Sequence, residues 1–417
     1  MKKLMLTLTT AAVLLVSLSC TPVVLGDELK SDKPYNTSPE ASSEDLETLV
    51  GGNTEFALDL YQQIKDSDDN LFYSPYSISL ALAMTYAGAR GVTRQEMRDV
   101  LHFDLDDAAL HAAFNQLTLE LASRGQDDDQ GFQFNIANAI WGQQGFDFLD
   151  EFLDTLAENY DAGLRIADFL DATEESRQII NQWVSDQTEG KIEELIAEGD
   201  LDPATVLVLT NAIYFKAEWY APFAEEETHD ATFTRLDGST VTVPMMEQSM
   251  SFACAEGDNY QAIEMKYQGH DFSMVVLLPR EGHFEEFEAS MDAQKVEAII
   301  DSLEGEAIIL SMPKFSYDNR IDLEQTLADM GMPSAFGNAD FSGISENSAG
   351  LYIYGAKHES FVSVDEKGTE AAAASYVAIA GLSDNEFTMD RPFIYLIRDI
   401  ETGTILFIER VLDPGTD

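Results

Sequence analysis

The stretch whose residue types and spacing most constrain the chemistry of this chain is Glu366-Lys-Gly-Thr-Glu-Ala-Ala-Ala-Ala-Ser-Tyr-Val-Ala-Ile-Ala-Gly-Leu382-Ser383. Taken with a period of two, Thr369, Ala371, Ala373, Ser375, Val377, Ile379 and Gly381 share one face, all small or apolar. The sole interior charge, Glu370, lies on the other. A segment so patterned can enter the middle of a sheet without burying a charge. By itself it also reads as a short helix, since consecutive alanines favour helix and Gly368 and Gly381 favour flexibility at its ends. Elsewhere there is no Gly-x-Ser-x-Gly, His-Glu-x-x-His, phosphate-cradling glycine loop or Cys-x-x-Cys, and the six histidines are scattered without metal-ligand spacing. The motifs point away from an enzyme and imply no cofactor and no metal; a hydrolase triad, whose members meet only in the fold, is the catalytic class they leave open.

The elements that position this stretch belong to one large domain. The 417 residues hold no Pro/Gly/Ser-rich linker after about residue 50. Lys and Arg number 24 against 76 Asp and Glu, a formal charge of −52. Residues 1–50 hold only four of the basic and seven of the acidic side chains, so the charge belongs to the domain. Such a surface repels nucleic acid and anionic polysaccharide. It also strains a compact fold in dilute buffer and is relieved at about 1 M salt, where the screening length is roughly 3 Å; a salty working environment is expected.

Met1-Lys-Lys3 followed by an apolar run over residues 4–18 predicts a secretory signal. It ends in Ser17-Leu-Ser-Cys20, similar to the lipobox of prokaryotic lipoproteins but with the large aliphatic residue one place too close to the cysteine. Two outcomes are expected: lipidation of Cys20, or plain cleavage after Val24-Leu-Gly26. The expected organisation is 1–20 signal, 21–50 acidic polar tether, 51–417 folded domain, a monomer secreted or held on the outer face of a membrane by lipid with the domain free. With Cys20 used or removed, only Cys254 remains, a half-buried strand residue, and the fold has no intrachain disulfide.

Along the chain, a helix is predicted from Asn53-Thr54 with Phe56, Leu60 and Ile64 inward. Ser74-Pro75 opens a second, apolar on nearly all sides, with Ser74 and Ser77 placed to cap it. Thr93-x-x-Glu96 reads as a capping box. Residues 205–215 are too continuously apolar for a strand with a wet face, so they form a central strand whose exception, Asn211, must find a buried partner. Asp237-Gly238 marks a hairpin. Strands in runs with helices grouped between them indicate an α+β class.

Glu366 to Ala374, Phe387-Thr-Met-Asp-Arg-Pro-Phe, Asn70-Leu-Phe-Tyr-Ser-Pro, Trp183 to Ile192, and Lys216-Ala-Glu-Trp219-x-x-Pro occur in an order that resembles the serpin family of serine protease inhibitors, over about residues 53–414. The resemblance implies the serpin fold: helices around a large central mixed sheet, with further sheets and an exposed reactive-centre loop. It also implies suicide inhibition, in which a protease cleaves the loop and stays esterified to it while the loop inserts as a strand. Carried over by residue, it makes Glu366, Gly368, Thr369, Glu370, Ala371, Ala372 and Ala373 the hinge and Leu382–Ser383 the reactive bond. Ser74, Ser77, Asn211 and His358 become the shutter. Trp219 lies near the top of the sheet, where Lys314 would pair with Glu366. Leu382 suits chymotrypsin-like or subtilisin-like proteases. The acidic run at 126–130, where some members carry a basic cofactor-binding helix, argues against a heparin-like activator. The hinge has neither charge nor proline on its inward face, which favours an inhibitor; the other readings are a non-inhibitory serpin acting as a binding or storage module, and an unrelated acidic lipoprotein.

Overall fold

A computed structural model describes residues 25–66, 69–124, 133–347, 350–369 and 385–415. In chain order the first elements are β1 (Glu28–Leu29), α1 (Ser43–Ile64), β2 (Leu71–Tyr73), α2 (Pro75–Tyr86), α3 (Gly91–Val100), α4 (Asp107–Ser123), β3 (Gln133–Gln143), α5 (Asp150–Tyr160) and β4 (Leu164–Ala167). There follow α6 (Thr173–Gln187), β5 (Leu207–Glu218), β6 (His229–Thr234), β7 (Thr240–Glu256), β8 (Tyr260–Lys266) and β9 (Phe272–Pro279). Then come α7 (Phe284–Ala289), α8 (Ala293–Asp301), β10 (Glu304–Pro313), β11 (Phe315–Asp322) and α9 (Leu323–Met330). The last are β12 (Ile353–Val364), β13 (Gly368–Thr369), β14 (Glu386–Thr388), β15 (Phe393–Asp399) and β16 (Ile405–Val411).

The strands make two mixed sheets. The first runs β1-β4-β3-β5-β13-β12-β11; the second runs β14-β10-β7-β8-β9-β15-β16-β2, with β6 beside β7. The apolar run of β5 has the cause expected of it. Its inner side meets the second sheet, where Phe215 packs on Tyr267, Phe272 and Phe407. Its outer side is covered by α6, whose Ile180 and Val184 join Trp141, Phe169 and Leu195 in a separate cluster. α2 is buried at every residue, and its N-cap Ser74 accepts from the Ser77 amide at 3.2 Å. This helix lies beneath β3 and β5, where the shutter residues meet.

Two local expectations need correction. α1 starts ten residues before Asn53, at a capping box in which Ser42 and Asp45 bond each other's backbone. Within it, Gly52 is where the helix touches the carbonyl of His102: a Cβ there would lie 2.3 Å from that oxygen. Thr93 and Glu96 do not cap α3, which has no side-chain cap. They accept instead from the Asp340 and Ser334 amides, both at 2.9 Å, and fasten a distant loop.

Of the stretch expected as an acidic polar tether, the described residues 25–42 form a strap. Glu28 and Leu29 pair with Arg165 and Leu164 on the edge of the first sheet, and the Gly26 amide donates to the Ile166 carbonyl at 2.8 Å. Lys30 pairs with Asp161 at 2.6 Å, and Asn115 of α4 donates to the Asn36 carbonyl at 2.8 Å. The strap covers an edge strand that would otherwise offer unpaired backbone groups to another chain.

Candidate functional site

The site is a split in the first sheet. β5 and β12 pair in parallel from Leu207 opposite Ile353 to Ile213 opposite Ser360. Beyond that they part, and β13 fills the gap antiparallel to both, Thr369 lying opposite Ala217 on one side and Val364 on the other. Asp365 makes the turn possible: its side chain accepts from the Lys367 amide at 2.8 Å, and its own amide donates to the Gly368 carbonyl at 2.9 Å. Gly368 is required by close approach, since a Cβ there would sit 2.1 Å from the Ala217 carbonyl oxygen. Thr369, 1% exposed, points inward, as the period-two pattern predicts.

Contacts from Trp219 and its neighbours hold this turn. The Trp219 amide donates to the Lys367 carbonyl at 2.8 Å, the Phe223 amide to the Glu366 carbonyl at 2.7 Å, and the indole N–H to the Asp365 carbonyl at 3.1 Å. Glu366 is paired with Lys314 at 2.7 Å and accepts from the Thr228 hydroxyl at 2.8 Å. Burial pulls the Glu366 carboxyl upward, but the bonds from Lys314 and Thr228 outweigh it and leave the group below its ordinary range. Tyr267 stacks on Trp219, centroids 4.7 Å apart, and its hydroxyl lies 2.9 Å from that of Thr369.

Lower in the sheet, Asn211 and His358 are paired in register across β5 and β12, and His358 Nδ1 bonds to the Asn211 amide oxygen. The other ring nitrogen, Nε2, accepts from the Ser74 amide at 3.1 Å. That fixes a neutral ring with its proton on Nδ1. Asn211 Nδ2 donates to Ser77 Oγ at 2.7 Å and to Asn138 Oδ1. Asn138 donates in turn to the Ser77 carbonyl at 3.0 Å. The geometry thus brings together Ser74, Ser77, Asn211 and His358, and Trp219, Lys314, Glu366, Gly368 and Thr369. Cys20, Glu370, Ala371, Ala372, Ala373, Leu382 and Ser383 lie outside the described residues. Sequence reasoning missed Asn138, Thr228 and Tyr267. Asn138 had a signal, an amide interrupting an apolar strand; Thr228 and Tyr267 had none.

Burial drives the His358 ring down to about 3 and, with help from Arg94, that of His111 to about 4. Between these values and the ordinary 6.5 the unfolded chain binds protons the native rings refuse. Each ring therefore removes stability as pH falls through that window, by roughly 1.4 kcal/mol per pH unit. Glu409, raised to about 8 by burial, acts in the opposite sense. A difference measurement isolates the shutter: the stability gap between wild type and His358→Gln should shrink as pH drops from 6.5 to 4, checked by chemical denaturation. A constant gap would show that the ring is not neutral by burial.

Residues 51–414 match the family model for serpin (serine protease inhibitor). An uncharacterised serpin-like protein of Thermococcus kodakarensis is 40% identical over 391 residues, spanning 91% of this chain and 90% of that one. Leukocyte elastase inhibitor A of Mus musculus is 39% identical, with 88% of this chain and all of that one covered. Human thyroxine-binding globulin complexed with thyroxine superposes with a TM-score of 0.81 at 32% identity, over 89% of this chain and all of that one. A split sheet joined by a buried histidine–amide pair, in a chain matched nearly end to end by this model and these relatives, has one classification: the protein belongs to the serpin family, a family of protease inhibitors and not of enzymes.

Proposed function

We propose that the protein inhibits serine proteases by a single cleavage at Leu382–Ser383. The protease serine oxygen bonds to the Leu382 carbonyl carbon, the Leu382–Ser383 amide breaks, and the departing Ser383 nitrogen takes a proton from the protease. The acyl bond then persists because the loop enters the first sheet and carries the protease with it. The observation that carries this reading is the gap between β5 and β12, already holding Gly368 and Thr369. Extending that register puts Ala371 level with Phe215 and Val362, Ala373 with Ile213 and Ser360, and Ser375 with Asn211 and His358. The inward row is all small or apolar where the walls are buried. Insertion past Ala372 must part the β5–β12 pairs, and Ser375 brings a hydroxyl to the shutter as the His358–Asn211 bond opens.

Leu382 fits an apolar primary pocket, so chymotrypsin-like or subtilisin-like enzymes are the targets. The elastase-inhibitor relative supports an inhibitor; the thyroxine-binding relative keeps a second reading, a serpin that binds a small molecule. Incubation with chymotrypsin or subtilisin followed by a denaturing gel separates them. A band at the summed mass is expected; a clean cut with no such band would favour the binder.

The signal at 1–20 and lipid on Cys20 also belong to this reading. Gly26 bonds at Ile166, which is level with Gly142 and, through it, with Leu207. That end of β5 is ten residues from Ala217, about 33 Å. A lipid at Cys20 would hold the domain within roughly 20 Å of a membrane, with the hinge at the far pole. The charge of −52 supports a salty habitat, and the melting temperature should climb from dilute buffer to about 1 M potassium chloride. A flat or falling curve would remove that idea.

A further inference from the structure

We propose that Tyr267 is the positioning residue that holds the hinge inside the sheet before any cleavage, acting through the hydroxyl of Thr369. This deepens the inhibitor reading and rests on it only for the consequence, not for the latch itself. Tyr267 is fully buried. Its ring is fixed on two sides, stacked on Trp219 at an interplanar angle of 7° and edge-on to Phe215 at 5.4 Å. Its backbone is fixed too, by a bridge to Trp219 and a bond to the Phe272 carbonyl at 3.0 Å. Among the described residues its hydroxyl bonds to Thr369 and to nothing else.

A ring so confined cannot turn to find another partner. If Thr369 leaves the gap, the Tyr267 hydroxyl is left buried without one, and the backbone bonds of β13 go with it. The same loss is felt by Thr369, which is 1% exposed. The backbone rungs of Thr369 to Ala217 and Val364 hold it within the sheet, and the buried bond to Tyr267 adds a side-chain hold from the inner face. The latch keeps the first rung of the inserted strand formed in the intact protein. After cleavage, insertion then continues from an existing end and need not start a new one. Tyr267 therefore acts on the race between trapping and escape, after the loop has been cut, and leaves the cutting step alone.

Amide hydrogen exchange tests the latch in the full uncleaved protein and needs no protease. In Tyr267→Phe, which keeps the stacked ring, exchange at Gly368 and Thr369 should quicken about tenfold, with β8 and β9 unchanged. Thr369→Val should behave alike, and the double variant should be no faster than either single one. With chymotrypsin, more inhibitor should be consumed per protease trapped, by several-fold, at an unaltered rate of loop cleavage. Unchanged exchange, or a double variant showing the product of the single effects, would overturn the proposal, as would quickening spread evenly over β8 and β9. If exchange responds as expected but neither wild type nor variants trap any protease, the latch stands and the inhibitor reading falls.

Discussion

Protein cut once between Leu382 and Ser383 should melt roughly 15 °C above the intact form. The register sets the size of the effect. Continuing from Thr369 opposite Ala217, Glu370 to Ile379 fill the places facing Lys216 to Leu207, about ten residues. A strand in mid-sheet bonds on both sides, so these add about twenty backbone bonds while about seven between β5 and β12 are lost. At roughly 1 kcal/mol each, the net is on the order of 10 to 15 kcal/mol before entropy, as large as the whole stability of an ordinary domain. An unfolding entropy of about 2.1 cal/mol/K per residue, over the folded part of a chain this long, converts that into roughly 15 °C. The uncut fold is then a kinetically trapped state. Equal melting temperatures for nicked and intact protein, measured by calorimetry, would leave no stored energy to trap a protease.

Thr369→Arg should turn the protein from inhibitor into substrate. Thr369 occupies a closed place between Ala217 and Val364, against the Tyr267 hydroxyl. Glu366, a carboxylate on the same turn, already holds Lys314 and is not free to pair with a guanidinium there. Burying an unpaired charge costs several kcal/mol, whereas withdrawing two residues of β13 gives up only a few bonds. The intact variant should withdraw them and melt within a few degrees of wild type. After cleavage it must bury the charge to insert, and each 1.4 kcal/mol added to that barrier shifts the partition tenfold. Trapping should fall at least a hundredfold while the loop is still cut at Leu382. A variant that keeps forming denaturant-stable complexes would refute this account of the hinge.

Much of the framework was legible locally because burial writes itself into residue type. The run through β5 announced cover on both faces, and α2 announced burial all round. Asn211 stood out as an amide that had to be satisfied, and His358 was found as its partner through family resemblance, not from its own surroundings. Where reading failed, side chains had been assigned to neighbours and turned out to serve distant groups. Thr93 and Glu96 bond the loop at 334–340. The strap at residues 25–42 looks like solvent-loving linker because its hold on β4 and α5 is made largely by backbone groups and ion pairs, which leave no apolar pattern.

By itself the sequence placed Thr369 on the inward face, since alternation along a strand is a property of the covalent chain. It also determined the charge of −52. Only the tertiary structure decided that Thr369 already sits in the sheet, that Tyr267 is what it touches, and that Asn138 completes the shutter. Those contacts join residues from about sixty to more than a hundred positions apart, and the registers that align them are set by packing two sheets together, not by any local stretch.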